Sequence, residues 1–120
     1  MNIARQLSAN LTVTATWTQC SEEGSDAVYT APSNGRSTIN GARINNFSGA
    51  DAAAVVFAVA ATTPSNTAYQ DHLSVPATVG AGNTSFIPDI VVIPAGQALW
   101  AKATGTTPLV GVRVPILETT

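Results

Sequence analysis

Residues able to do chemistry are scarce in this chain. Cys20 stands alone among 120 residues, which excludes an intrachain disulfide and a cysteine metal cluster. It reads as a small apolar side chain at a strand end. His72 is the sole histidine, so no multi-histidine metal site is available and at most an isolated general base remains. Charge is equally thin: five basic and seven acidic residues make up 10% of the chain, against about 25% in ordinary soluble domains. The net charge of −2 offers neither nucleic acid nor an anionic membrane a basic face. The longest apolar run, residues 52–61, is about half the length of a membrane-spanning helix. The first residues lack the continuous apolar stretch of a secretory signal. No stretch has the length and period of an amphipathic helix.

What is present is strand-and-turn grammar. Nine glycines, seven prolines and many Ser, Thr and Asn residues punctuate short apolar segments. Strict alternation over residues 11–17 predicts a half-buried strand with Leu11, Val13, Ala15 and Trp17 on one face. Further strands are expected at 27–30, at 38–47 with a bulge or a close backbone approach at Gly41, and at 52–61, where burial on both faces is expected. They continue at 71–79, held to an edge or a corner by Pro76, at 84–93 with a kink at Pro88, at 97–104 and at 109–117. In the last of these Val110, Val112, Val114 and Ile116 form one apolar face. The expected fold is all-β: a single antiparallel β-sandwich of about eight strands with jelly-roll-like connections, over residues 11–120. Residues 1–10 are expected to be an amino-terminal arm or the lead-in to the first strand. As an arm, Ile3 and Leu7 would be apolar anchors and Arg5 and Gln6 polar contacts gripping a neighbouring subunit, and deleting residues 1–7 would leave the fold intact.

Each candidate for chemistry has a plainer reading. Asp71 and Tyr69 could orient His72, but no nucleophile elbow completes a triad, and a surface or edge histidine is expected. Glu22, Glu23 and Asp26 could offer oxygens to calcium, but their spacing fits no EF-hand loop and a solvated loop is the better reading. Asp51, Asp71 and Asp89 are too far apart in sequence to be paired as glycosidase carboxylates without a structure. Trp17 and Trp100 lie in alternating apolar segments and are read as core. Arg5, Arg36, Arg43, Lys102 and Arg113 are scattered singly, as solvated or interface charges. No catalytic residue, cofactor or metal is expected.

Three turns form a spaced pattern. Val-Tyr-Thr-Ala-Pro-Ser-Asn-Gly-Arg-Ser-Thr-Ile at 28–39 is followed by Ile-Asn-Asn-Phe-Ser-Gly at 44–49, and Ile-Pro-Ala-Gly-Gln-Ala-Leu-Trp-Ala-Lys-Ala closes the set at 93–103. This arrangement resembles small virion proteins of tailed bacteriophages. In those, a Thr-Ala-Pro-x-Gly turn, an Asn-x-Ser-Gly turn and a Pro-Ala-Gly turn opening a Leu-Trp-x-Lys-Ala strand recur. The resemblance runs from residue 28 to about 114 and rests on turns and patterning; Gly41 and Gly111 stand where such strands usually offer apolar residues. It implies a non-enzymatic protein on the virion surface, a capsid decoration or cement protein acting as a homotrimer bound to the major capsid protein. A neck, tail or fibre component belongs to the same class. A low-charge, neutral surface suits self-association. A carbohydrate-binding adhesion sandwich, with Tyr69, Trp100 or Trp17 as the stacking residue, is the alternative from another class.

Overall fold

Strand pairing runs inward from the two ends of the sequence. In the computed structural model, which describes residues 1–66, 69–73 and 76–120 with the backbone alone at 88–90, β1 (Asn2–Leu11) lies antiparallel to β9 (Val110–Thr119). Their register is unbroken from Asn2 opposite Thr119 to Leu11 opposite Val110. Inside this pair, β2 (Thr18–Gln19) meets β8 (Ala98–Thr104), and a two-residue strand, β3 (Ser21–Glu22), adds to the free edge of β1. Further in, β4 (Arg36–Asn46) meets β7 (Thr84–Ile93), and β5 (Ala53–Ala60) meets β6 (Ala77–Val79). The pairs 1–9, 2–8, 4–7 and 5–6 are nested, as in one long antiparallel ribbon. Two more ladders, β4 on β9 and β5 on β8, roll that ribbon up. The product is a jelly-roll sandwich with sheets β3-β1-β9-β4-β7 and β2-β8-β5-β6.

The two inner faces meet in a single core. The large sheet contributes Leu7 and Leu11 from β1, Ile39 and Ile44 from β4, and alternate residues of β9; the small sheet contributes Val55, Phe57, Leu99 and Ala101. Each fully buried Leu, Ile, Val or Phe is worth roughly 1.5–3 kcal/mol over an exposed one. Among the described residues the void lined by Ile39, Phe57, Leu99 and Val114 between the sheets is about 20 Å³, room for about one water. Gly41 takes φ +84°, a conformation that suits glycine, and the β4–β7 register shifts between Asn40 and Ala42. The bulge expected from the sequence is therefore present.

Several expectations are corrected. Residues 1–10 are neither arm nor lead-in: Asn2–Leu11 is a strand with a partner on each side, β9 along its length and β3 at Leu7 and Ser8. Residues 12–17 are not a strand. β1 reaches the end of β9 at Leu11, and beyond it the chain crosses to the other sheet through a turn, with Ala15 at φ 56° and Val13 exposed. Residues 27–30 hold one isolated bridge, Val28 to Ser21, rather than a strand. The segment expected at 71–79 shortens to β6 at the edge of the small sheet, while Asp71 closes a 3₁₀ turn at Tyr69–Asp71. Thr67 and the Ser74–Val75 part of that segment lie outside the described residues. So do the side chains of Pro88 and Asp89, and with them the expected kink and one candidate carboxylate.

Candidate functional site

Three places in this fold gather polar or aromatic side chains. The first is buried at one end of the sandwich. Glu118 on β9 points inward, and its carboxylate receives the Tyr29 hydroxyl at 2.5 Å and Arg5 Nε at 2.7 Å. Because that carboxylate only accepts, the Tyr29 hydroxyl donates to it and takes its own hydrogen bond from Ser37, also at 2.5 Å. Arg5 reaches on to Glu22 at 2.5 Å, tying β3 to the same cluster. Burial works to raise the Glu118 carboxyl, but the bonds from Tyr29 and Arg5 outweigh it and hold the group below its ordinary value. Burial first, then the bond to Glu118, pushes the Tyr29 phenol up. No buried side-chain nitrogen or oxygen among the described residues lacks a partner. The cluster is a saturated clamp joining β1, β3, β4 and β9 to the segment at Tyr29, with no group left over for chemistry.

A second cluster covers the outer face of the small sheet. Trp17 enters from the β2 edge and His72, bridged to Ala58, from the opposite edge; their rings meet at 5.1 Å. His72 also meets Tyr69 edge-on at 5.3 Å and bonds the Ser65 carbonyl at 3.0 Å. Lys102 lies 4.8 Å above the Trp17 ring, and both donate to Asn66. Trp100 donates its indole N–H to the Ala60 carbonyl. Under this roof the outward-facing Val56 and Ala58 of β5 are buried, so the expected two-sided burial of that strand holds. The two tryptophans are half-buried on the outside of the sandwich, a correction to their reading as core. An indole carries an N–H that needs an acceptor, and the Ala60 carbonyl at the end of β5 and Asn66 supply it here. Of the aromatic rings in this group only Tyr69 stands well exposed, at 70%.

The third place is the outer face of the large sheet, which the described residues cover only at Gly111, by the Phe47 ring, and at Arg113, by Glu23. Outward positions align in rows across β1, β9, β4 and β7. One row runs Ala4, Leu117, Thr38, Val92; another runs Ser8, Arg113, Arg43, Phe86. Phe86, Val92 and Leu117 are 64%, 48% and 42% exposed, against 2% and 0% for Val56 and Ala58 on the outside of the small sheet. Phe47, also exposed, lays its ring over Gly111, where an added Cβ would come within 3.2 Å. A side chain there would require the Phe47 ring to shift by a few tenths of an ångström. Arg36 completes the face from the end of β4, so three of five basic residues share one surface although they are scattered in sequence. Of the residues expected in an arm, Leu7 is buried in the core, Arg5 is in the clamp, Gln6 lines this outer face and Ile3 is partly exposed.

The other candidates disperse. Glu22 is paired with Arg5 and Glu23 with Arg113, and the Asp26 amide bonds Glu22 O in the turn between them. Among the described residues no three His, Cys, Asp or Glu side chains gather as a metal ion would require. Asp51 sits in the turn after β4, where its carbonyl accepts from Asn46, and Asp71 lies in the 3₁₀ turn. Cys20 is fully buried, its thiol pushed up to about 12 by burial.

No family model and no curated protein matches the chain. Among solved structures the fold is similar to a chain from Bacillus endospore appendages, described as a novel family of disulfide-linked pili. The TM-score is 0.53 at 12% sequence identity, covering 98% of this chain and 88% of that one. At this identity the likeness is one of fold.

Proposed function

We propose that the chain is a non-enzymatic structural protein of a phage virion that cements the capsid shell, bound as a homotrimer through the outer face of its large sheet. The observation that carries this reading is the contrast between the two outer faces. The small sheet is roofed by its own aromatics, whereas the large sheet leaves Phe86, Val92 and Leu117 exposed on its outer face. Exposed apolar side chains grouped on a sheet mark an interaction surface. A sheet face bridging neighbouring shell subunits would stabilise the shell by mass action on the assembled state. The turn pattern, which resembles that of small virion proteins, is what supports a shell subunit as the partner. A pilus link of the disulfide kind is not open to this chain, whose one cysteine is buried. Glycan binding has less support: Lys102 covers one face of Trp17 and Trp100 is half-buried, leaving Tyr69 alone as a platform.

The test is reconstitution. Shells stripped of the protein are expected to take up many copies of the purified chain and to resist heat better afterwards. Leu117→Asp is expected to lower occupancy by about tenfold without changing the fold. A few copies at one vertex would place the protein in the neck or tail instead, and no uptake would end the cementing reading.

A further inference from the structure

The row Ser8, Arg113, Arg43, Phe86 contains an arrangement that a free sheet surface disfavours. Arg43 and Arg113 are directly opposite each other on β4 and β9, and both point outward. Like charges in that position repel. Arg113 is relieved by Glu23, which reaches it from the turn after β3. Among the described residues Arg43 has no carboxylate; its guanidinium lies over the Phe86 ring, 5.4 Å from the centroid. Beside the pair, the bulge at Gly41 opens a groove of about 470 Å³ whose walls include Gln6, Arg43, Phe86, Ile87 and Pro115. The groove thus has a cationic end and an apolar wall, in a protein whose net charge is −2.

We infer that this groove is the receptor for an acidic segment of a protein partner. One carboxylate seats between the Arg43 and Arg113 guanidinium groups, and a neighbouring apolar side chain lies along Phe86. A carboxylate matches the planar fork of arginine better than any other protein group and removes the repulsion across the pair. Nucleic acid fits less well, because Arg113 already shares Glu23 and three arginines make no track along a phosphate backbone. Under the proposed function the acidic segment belongs to the shell subunit, and only that identification rests on the cementing reading.

Two probes separate the claims: a fluorescein-labelled oligo-glutamate peptide carrying one leucine, read by anisotropy, and stripped shells, read by occupancy. Arg43→Glu is expected to weaken peptide and shell binding by about tenfold or more, with Arg43→Lys intermediate. Lys102→Glu, on the opposite sheet, is expected to leave both unchanged. Arg43 is exposed, so a far-ultraviolet spectrum and melting curve like those of the parent chain should accompany the loss. Peptide binding sensitive to Arg43 without shell uptake would uphold the acidic receptor and overturn the cementing reading. Shell uptake together with peptide binding that is indifferent to Arg43→Glu would do the reverse. Tighter binding of a single-stranded oligonucleotide than of the peptide would overturn the inference, as would self-association of the purified chain that Arg43→Glu abolishes.

Discussion

Leu7→Ala should lower the free energy of unfolding by roughly 2–5 kcal/mol, the cost of a large-to-small change in a packed core. Leu7 is fully buried, opposite Val114 on one side and Glu22 on the other, in the strand that joins β3 to β9. Removing its branched end leaves a cavity that two flanking ladders hold open. Were the first ten residues an arm, the same change would fall within about 0.5 kcal/mol, as surface substitutions usually do. The midpoint of urea unfolding distinguishes these outcomes. Deleting residues 1–7 should abolish cooperative unfolding altogether, because β9 would lose most of its partner along one edge.

Glu118→Ala is the second large effect. It strips the acceptor from the Tyr29 hydroxyl and from Arg5 Nε at once, and a buried polar group left without its partner costs about 1–3 kcal/mol. Tyr29→Phe should cost a comparable amount, since it leaves Ser37 and Glu118 short of a bond. Acid reaches the same cluster by another route. The folded protein holds Glu118 below the 4.5 of a free glutamate, so the stabilisation it contributes is complete above that value. It is lost as pH falls through the lower folded value. Parent stability should therefore decline below about pH 4.5 more steeply than that of Glu118→Ala, so that the difference between them narrows in acid. Equal slopes for the two proteins in acid unfolding would remove Glu118 from this role.

Much of the sandwich was legible in the chain. The period-two pattern of β9, the apolar run of β5, the Gly41 bulge and the Pro-Ala-Gly turn before β8 all stand where the residues put them. β1 was hidden by Arg5. A charge at an inward position breaks the apolar alternation of Ile3, Leu7, Ala9 and Leu11, and its carboxylate partners Glu118 and Glu22, distant in sequence, explain why the break is tolerated. Residues 12–17 misled in the opposite way, for alternation makes a strand only where a partner edge remains, and β9 ends at the register of Leu11. The tryptophans were misplaced because alternation tells which residues share a face and not whether that face is inside. The outer face of the large sheet was unreadable for a like reason: Arg36, Arg43, Phe86 and Arg113 share it only after the ribbon has rolled up. Phe86 gave no sequence signal at all.

The central claim is that the large sheet's outer face is the face that binds. It is tested most directly by cryo-electron microscopy of the assembled particle at a resolution that traces strands. The expected map shows the jelly roll repeated over the shell with β9 and β4 turned toward it and Arg43 and Phe86 at the contact. A map in which that face looks into solvent and the Trp17–His72 side meets the shell would contradict it.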